Sequence, residues 1–600
     1  MSAAHTGFRL GRAEPRTAWA MGGVCVLLSI VGIRLVELQG LDRGGYALAA
    51  NEQRTGTVAL RALRGTIEDR FGTPLAYTSD AQDITADPSQ INADERPDYA
   101  KALAPYLGKK ASDIEKALTV PGRYALLGRA LSLRAATDIE RLTINDEPIH
   151  GIYTQATTLR QYPGKTIGAN VLGLVHDDGS GAAGIEYQFN SLLSGKDGSL
   201  TFSVDGRGQI NPSGPQQRKP AVDGATVRLT LDQDLQAQVQ RTLDDIVDES
   251  GARGGQVAVL SKSGEVLALA QNNTFDASDP SSITSKTQLN APIQSVFEPG
   301  SVNKLVTFSA AIDKHMITPT EVFNVPGRVS TGGVTVGDAW PHPTQPFTAT
   351  GVLAESSNVG TLQIAQRIGP QTWDDYEKRF GVGQKTGVEL PGESDGILPE
   401  IAQWSDSSFA NLPIGQGVAL TVLQLASMYQ TIANDGVRIP PRITESITQP
   451  NGEVHATATP AGVQVMSVES AHTVRTMLES VTLAGGTGKR AAIPGYRIAG
   501  KTGTAQQPDP AKGGAYSTSM NWVTFAGVAP ADDPQFVVAV MIDAPAHSLE
   551  GGEVAAPLYR QIATYELQHA RIPPTGSAST HVPLFACNDK VRIFYGNGVC

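Results

Sequence analysis

A long run of apolar positions lies near the N-terminus. Residues Thr17 to Ile33 carry no charged side chain, and three arginines precede them. The run is at the short end of what can cross a bilayer, and Arg34 can extend to the interface, so we place a membrane-spanning helix at residues 17–39. The basic flank predicts that residues 1–16 are cytoplasmic and the rest of the chain is outside. A cleaved signal peptide is the alternative, but no small-residue cleavage site directly follows the run.

After the anchor, the hydrophobic periodicity is mixed. It predicts helices at Asp98 to Leu107 and Ala111 to Leu118, and a short helix at Gly184 to Leu193. Gly206 to Pro220 is rich in Gly, Pro and Gln, which is typical of a linker. We therefore predict an α+β domain at residues 40–222.

Beyond the linker, segments with alternating and helical periodicity follow one another. The predicted strands are Thr226 to Leu231, Gln256 to Leu260, Val266 to Ala270, Arg497 to Thr504, Trp522 to Ala529 and Phe536 to Ile542. The predicted helices are Gln233 to Ile246, Val302 to Lys314, Val352 to Ile368, Leu420 to Asn434 and Val554 to Glu566. Helices inserted between early and late strands indicate an α+β domain at residues 223–570, with one sheet whose halves come from opposite ends. Residues 571–600 form a tail with no assignment.

Composition narrows the class of protein. A chain of 600 residues exceeds one core, and its net charge of −11 argues against a nucleic-acid partner. The three cysteines include no CxxC pair, so we expect no metal and no cofactor. Cys587 and Cys600 could form a disulfide if the C-terminus is outside the cytoplasm. His315, His342 and His472 are scattered, and no Ser-His-Asp site is indicated.

The first candidate for chemistry is Ser301 with Lys304. Ser301 follows a Pro-Gly turn at the start of a predicted helix, and Lys304 is three residues later on the same face. A desolvated Lys with a lowered pKa can remove the proton of a Ser hydroxyl and make it a nucleophile. The helix N-terminus adds N–H groups suited to a developing oxyanion. A helix-capping Ser with a surface Lys is the alternative.

The second candidate is Ser356 with Asn358. The hydroxyl is suited to passing a proton to a leaving amine, and the carboxamide to holding a substrate amide. The S-x-N pattern is weak, because Ser301 with Asn303 and Ser519 with Asn521 also satisfy it.

The third candidate is Lys501-Thr502-Gly503-Thr504 in a strand-like stretch. A cation and hydroxyls there could bind a substrate carboxylate, and the glycine would let substrate backbone approach closely. A second copy, Lys385-Thr386-Gly387, has no strand leading into it, and we interpret it as a structural turn.

A phosphate-binding loop is the rival interpretation of the third candidate. Gly495 to Thr502 satisfies G-x-x-x-x-G-K-[ST], the pattern of an ATPase. Such a loop should open a helix, whereas Gly503, Pro508 and Pro510 make a long helix improbable here.

The order S-x-x-K, S-x-N, K-T-G resembles the penicilloyl-serine transferases, and the chain is similar to class B penicillin-binding proteins of the septal FtsI type. The resemblance extends from the anchor to about residue 565. Its other motifs are Arg64-Gly65-Thr66-Ile67, Gly184-Ile185-Glu186, Gly264-Glu265-Val266, Gly415-Gln416-Gly417, Ala433-Asn434-Asp435-Gly436 and Ala555-Ala556-Pro557. It implies a pedestal, dimerisation-like domain and an antiparallel sheet with helices on both faces.

The resemblance also implies a mechanism. Ser301 attacks the D-Ala-D-Ala carbonyl of a peptidoglycan stem peptide while Lys304 takes its proton, and Ser356 relays a proton to the leaving D-Ala. Asn358 holds the donor peptide. The carboxylate is bound by Lys501, Thr502 and Thr504, with Gly503 between them, and the N–H groups of Ser301 and Thr504 form the oxyanion hole. β-Lactams acylate the same serine.

Two departures limit the resemblance: Phe71 replaces the usual Asn or Ser, and the tail matches nothing. No glycosyltransferase signature precedes the linker, so the implied partners are a FtsW-type glycosyltransferase and other membrane proteins of division. A D,D-carboxypeptidase or β-lactamase would use the same motifs with water. A penicillin-sensing receptor would need several spans, and a non-catalytic scaffold would keep the sequence without the activity.

Overall fold

The N-terminal helix of this computed structural model is α1, Pro15–Val36. The structure describes residues 15–37, 55–144, 146–204, 213, 216–509, 513–546 and 549–586. Helix α1 contains the predicted run and continues past Arg34, as expected. None of its residues is buried, and by length and composition it is apolar enough to cross a membrane. A helix that is apolar on all sides requires apolar surroundings, which supports membrane anchoring.

The region before residue 220 combines short helices with longer strands. Its strands are β1 (Thr55–Leu60), β2 (Ile67–Glu68), β3 (Pro74–Ala86), β4 (Ala125–Ser132), β5 (Thr143–Ile144), β6 (Glu147–Pro148), β7 (Ile152–Gln161), β8 (Gly198–Ser203) and β9 (Gln216–Lys219). Its further helices are α2 (Arg96–Leu107), α3 (Ala111–Leu118), α4 (Leu133–Glu140), α5 (Ala169–Leu172), α6 (Gly184–Gln188) and α7 (Asn190–Leu193). The predicted helices of this region are confirmed, and the one at Gly184 to Leu193 is divided at Phe189.

The chain forms two compact units, of which the smaller comprises residues 1–62 and 196–222. Strands β1, β8 and β9 form an antiparallel sheet in this unit. The end of the predicted linker Gly206 to Pro220 is therefore wrong, because β9 pairs with β8. Most of the linker's earlier part lies outside the described residues.

The remainder of the chain carries the longer strands and helices. Its strands are β10 (Thr226–Leu229), β11 (Gly254–Ser261), β12 (Val266–Gln271), β13 (Val322–Val325), β14 (Arg328–Thr331), β15 (Val334–Gly337), β16 (Gln345–Thr348), β17 (Val437–Arg438), β18 (Thr444–Thr448), β19 (Val454–Ala456), β20 (Val463–Gln464), β21 (Ala499–Asp509), β22 (Ala515–Ala529) and β23 (Phe536–Asp543). Its helices are α8 (Gln233–Ser250), α9 (Ala291–Gln294), α10 (Lys304–Asp313), α11 (Ala349–Ala354), α12 (Asn358–Ile368), α13 (Pro370–Phe380), α14 (Ser408–Asn411), α15 (Val422–Ala433), α16 (Val468–Thr482) and α17 (Ala555–His569). Short 3₁₀ helices occur at Pro88–Gln90, Pro280–Ser282, Gly300–Asn303, Ile401–Gln403, Leu412–Ile414 and Lys489–Ala491.

A mixed sheet joins strands from both sides of residue 222. Its strands β2, β3, β4 and β7 precede that residue, and β10, β18 and β19 follow it. Both sets belong to the larger compact unit, residues 63–195 and 223–600. The division into domains at residues 222 and 223 stays a prediction.

The sheet that positions the site is antiparallel, with strand order β12-β11-β23-β22-β21. Its halves come from opposite ends of the region, as predicted. Val257 and Val259 face a core formed with α8 and α17. Ala258 and Leu260 face the core that includes α15 and α16. This alternation buries both faces of the sheet under helices, as the family resemblance implies.

Candidate active site

Ser301 lies in the tight 3₁₀ turn Gly300–Asn303, directly before α10. The predicted helix Val302 to Lys314 therefore begins as a 3₁₀ turn. Gly300 has a φ of +62°, and a Cβ there would lie 2.7 Å from the carbonyl oxygen of Thr504. Its N–H donates to the carbonyl of Gly415 at 3.1 Å. Glycine at 300 thus allows the Ser301 turn to sit directly against β21.

Lys304 is fully buried behind Ser301. Its Nζ contacts the carbonyl oxygen of Ser356 at 2.6 Å, Oδ1 of Asn358 at 2.8 Å and Oγ of Ser356 at 3.3 Å. Burial lowers the pKa of Lys304 to about 7, although the charge of Asp338 acts in the opposite direction. Among the described residues, no hydrogen bond joins this amine to the Ser301 hydroxyl. The amine is nevertheless poised between its charged and neutral forms near pH 7.

Lys501 is also fully buried, and like Lys304 it contacts the hydroxyl of Ser356. Its Nζ lies 2.9 Å from Oγ of Ser356 and 3.0 Å from the carbonyl oxygen of Thr502. Burial, reinforced by the nearby Lys304, lowers the pKa of Lys501 well below its ordinary value. Two adjacent buried ammonium groups repel each other strongly. The pair therefore favours a state in which at most one of the two amines is positively charged.

Ser356 occupies a sharp turn where the sequence predicts a continuous helix. Helix α11 ends at Ala354 and α12 begins at Asn358, so the prediction of one helix from Val352 to Ile368 is wrong. Ser356 has a φ of +61°, a conformation that costs an L-residue about 1–2 kcal/mol. The apolar periodicity continues across the turn, which explains the error. The new N-terminus is capped by the Ser357 hydroxyl, which accepts from the N–H of Gly360 at 2.9 Å.

Asp338 fixes this turn, and sequence reasoning missed it. Its Oδ1 accepts from the N–H of Asn358 at 2.6 Å, and its Oδ2 accepts from the Ser357 hydroxyl at 2.7 Å. Oδ2 also lies 2.9 Å from Nε2 of His342, which sequence analysis left unassigned. The Asp338 side chain is fully buried. A lone Asp after a short strand carries no sequence signal, because only the fold brings it to the start of α12.

The Lys501 to Thr504 segment lies in β21, an edge strand of the antiparallel sheet. A Cβ on Gly503 would lie 2.2 Å from Oγ1 of Thr524 and 2.7 Å from the carbonyl oxygen of Pro299. Glycine is therefore required by the close crossing of the Ser301 turn. Thr502 is hydrogen-bonded to Thr487 at 2.7 Å, whereas Thr504 is exposed.

The strand disfavours the phosphate-loop interpretation, because a phosphate loop requires a helix after its Lys-Thr pair. The second Lys-Thr-Gly lies in irregular structure, and Glu393 accepts from the N–H groups of Thr386 at 2.7 Å and Gly387 at 3.0 Å. No strand includes it.

A cavity of about 770 Å³ connects the three candidate motifs. Six of the eight predicted residues line it, and the two lysines lie buried behind them: the lining residues are Ser301, Ser356, Asn358, Thr502, Gly503 and Thr504. Charged residues that sequence analysis did not single out also line the cavity, namely Glu355, Lys489, Arg490, Glu550 and Glu553. Burial raises the pKa of Glu355 to about 7. A hydroxyl, two amines of lowered pKa and a groove along an edge strand suit acyl transfer.

Two family profiles match the chain. The penicillin-binding protein transpeptidase domain matches residues 254–564, and the penicillin-binding protein dimerisation domain matches residues 59–229. Together they cover the described regions that carry the site and the mixed sheet.

Individual relatives match over nearly the whole chain. The penicillin-binding protein PbpB of Mycolicibacterium smegmatis is 42% identical, covering 92% of this chain and 89% of the relative. The peptidoglycan D,D-transpeptidase FtsI of Escherichia coli is 31% identical, covering 92% of this chain and 91% of the relative. The crystal structure of penicillin-binding protein 3 from Mycobacterium tuberculosis in complex with ampicillin is similar with a TM-score of 0.70 and 38% identity, covering 88% of this chain and 100% of that one.

Proposed function

Because the chain belongs to the class B penicillin-binding proteins, as a peptidoglycan D,D-transpeptidase of the FtsI/PbpB type, we propose that Ser301 is its acylated nucleophile. The observation that carries the proposal is the shared contact of Lys304 and Lys501 with Ser356 beside the cavity that exposes Ser301. That arrangement supplies a base, a proton carrier and a cation within one hydrogen-bonded group.

In the first half-reaction, the Ser301 oxygen attacks the carbonyl carbon of the penultimate D-Ala. Lys304 in its neutral form takes the hydroxyl proton. A neutral amine has two N–H groups and one lone pair, and the two shortest contacts of Nζ are to carbonyl oxygens that can only accept. The lone pair is thus left to accept a proton from a hydroxyl, which we propose is that of Ser301. The N–H groups of Ser301 and Thr504 stabilise the oxyanion.

The C–N bond then breaks, and the departing D-Ala amine receives a proton. Ser356 is suited to deliver it, since its hydroxyl contacts both amines and lines the cavity. The substrate carboxylate binds beside Lys501, Thr502 and Thr504, and Asn358 holds the donor amide. In the second half-reaction an amine of a neighbouring stem attacks the acyl-enzyme, and Ser301 regains its proton.

Labelled penicillin tests this assignment. We expect the detergent-solubilised protein to form one long-lived adduct at Ser301, and the Ser301→Ala variant to form none. The two Lys-Thr-Gly copies give a matched control, because Lys501→Ala removes the buried amine and Lys385→Ala removes an exposed one. Acylation should be lost only in the former. Equal labelling of Ser301→Ala and wild type would refute the nucleophile, and rapid penicillin turnover would indicate a β-lactamase.

We further propose that residues 17–39 anchor the chain with residues 1–16 in the cytoplasm. Residues 40–222 then act as a pedestal, residues 223–570 as the catalytic domain and residues 571–600 as a tail, all outside. Protease accessibility in intact and inverted membrane vesicles tests the orientation. Cleavage of the catalytic domain only in inside-out vesicles would contradict it.

Septal use and a FtsW-type partner complete the proposal. They are supported by the likeness to FtsI and by the absence of a recognised glycosyltransferase motif before residue 222. Co-purification from native membranes in mild detergent tests the partner, and localisation of a functional fluorescent fusion tests the site of action. An even sidewall distribution in dividing cells would contradict septal use.

A further inference from the structure

The C-terminal strap, defined here as Pro583–Ala586, lies beyond the transpeptidase profile and packs along β16. The N–H of Thr348 donates to the carbonyl of Leu584, and the N–H of Ala586 donates to the carbonyl of Pro346, both at 2.9 Å. Leu584 and Phe585 are 3% and 2% exposed. The strap is therefore a short antiparallel addition to β16, with Leu584 and Phe585 in the core.

One end of the strap touches the first turn of α11 through backbone atoms. The hydroxyl of Thr348 donates to the carbonyl of Pro583 at 2.6 Å, and Oγ1 of Thr348 also accepts from the N–H of Gly351 at 2.9 Å. A Cβ on Gly351 would lie 1.8 Å from the carbonyl oxygen of Leu584. No side chain fits between them. Since α11 ends two residues before Ser356, the strap contacts the helix that leads into that turn.

A second path leads from the strap to the other side of the same turn. The rings of Phe585 and Phe347 are 4.6 Å apart, and the Phe347 ring meets His342 edge-on at 5.9 Å. His342 places Nε2 2.9 Å from Asp338 and Nδ1 2.7 Å from the carbonyl oxygen of Pro343. Asp338 in turn holds Asn358.

We propose that the C-terminal strap is a positioning element for the Ser356 to Asn358 turn. A residue at positive φ keeps that conformation only when its surroundings over-determine it. The strap reaches the turn on both sides, through α11 before Ser356 and through Phe347, His342 and Asp338 at Asn358. The inference rests on the proposed roles of Ser301, Ser356 and Asn358. The family motifs end before the strap, so this chain's tail would contribute to the geometry of its own active site.

The test is the acylation of the full-length, detergent-solubilised protein by labelled benzylpenicillin at several concentrations. This separates the non-covalent dissociation constant from the first-order acylation rate constant. We expect Phe585→Ala to lower the rate constant by about 10–100-fold, the size of effect that a small misplacement of catalytic groups produces. The dissociation constant should stay within about twofold, because Thr502, Gly503 and Thr504, which are proposed to bind the carboxylate, lie on β21 and not in the turn. Phe585→Leu, which refills most of the volume, should recover most of the rate.

Ser577→Ala is the matched control, because Ser577 lies in the same tail and its hydroxyl contacts Asp532 rather than β16. It should acylate as wild type does. Gly351→Ala provides an independent variant with every tail side chain intact, in a helix where Ala is otherwise preferred to Gly. It should slow acylation as Phe585→Ala does, and the double variant should be no slower than the slower single one.

Thermal unfolding midpoints accompany every variant. If Phe585→Ala is acylated at the wild-type rate, with or without a lower midpoint, the strap is merely structural and the inference is overturned. A loss of rate that Phe585→Leu does not recover, at an unchanged midpoint, would also overturn it. If wild type itself forms no adduct at Ser301, the proposed function fails instead, so the two failures are distinguishable.

Discussion

Lys304 and Lys501 place their Nζ atoms 3.3 and 2.9 Å from one oxygen, the hydroxyl of Ser356. Both amines are buried, and burial lowers the pKa of each. A hydroxyl between them can donate to one amine and accept from the other, so it joins the candidate base to the candidate carboxylate site. If these residues act as proposed, the protonation of the two amines should determine the pH dependence of acylation.

The first prediction concerns pH. Lys304 has a pKa of about 7 and accepts a proton only when neutral, so the acylation rate should rise with pH through about 7. The charge of Asp338 raises that pKa, and therefore Asp338→Asn should move the midpoint to lower pH. The same substitution should also lower the maximal acylation rate at high pH, because a carboxamide accepts fewer of the hydrogen bonds that hold Asn358. Stopped-flow acylation across the pH range measures both, and an unshifted midpoint would exclude Asp338 as the charge that acts on Lys304.

The second prediction separates the hydroxyl of Ser356 from its backbone. Ser356→Gly and Ser356→Ala both remove the hydroxyl, but only glycine adopts a φ of +61° without cost. We expect both variants to lose acylation by about 100-fold or more. The glycine variant should be the more stable by about 1 kcal/mol. Urea unfolding of the two variants side by side measures the difference, and equal stability would mean that the turn relaxes when the hydroxyl is lost.

The third prediction concerns Glu377, which is fully buried and accepts from Nδ2 of Asn303 at 2.7 Å. Burial raises the pKa of Glu377 to about 8, above the ordinary 4.5. The folded state therefore binds more protons than the unfolded state between these values, and its stability should decline as pH rises through that window. Glu377→Gln keeps the shape without the titration. As pH rises from about 5 to about 8, the urea midpoint of the variant should increase relative to that of wild type. If the difference between the two midpoints did not change with pH, ionisation of Glu377 would have no effect on stability.

The fourth prediction concerns Glu186, whose fully buried carboxylate accepts from Nε of Arg64 at 2.6 Å and from Nε of Arg160 at 2.7 Å. Glu186→Gln would leave two buried guanidinium groups without a counter-charge and should cost about 3–5 kcal/mol. The control is Arg123→Ala, since that side chain is 83% exposed in its pair with Asp87 and should cost less than about 1 kcal/mol. Urea unfolding measures both, and equal effects would contradict the role of burial.

Sequence patterns predicted the strands of the site sheet well, because alternation in segments such as Phe536–Asp543 directly reflects burial on two faces. They also predicted the eight candidate residues by motif order, and their roles stay predictions. They failed at Ser356, where apolar periodicity continues through a reversal that only a positive φ reveals. Sequence patterns could not identify Asp338 and Phe585 for another reason. Each contacts partners that are distant along the chain, and neither belongs to a sequence motif.

The close contact between β21 and the Ser301 turn at Gly503 limits which substitutions this protein can accept during evolution. Its Cα faces Thr524 and the backbone of Pro299, and a Cβ on Gly551 would lie 2.5 Å from its carbonyl oxygen. Four segments thus meet at Gly503, and any side chain added there would clash with the Thr524 hydroxyl and the Pro299 carbonyl. Inherited tolerance to an acylating drug would therefore arise at other side chains that line the cavity, such as Glu355 and Arg490.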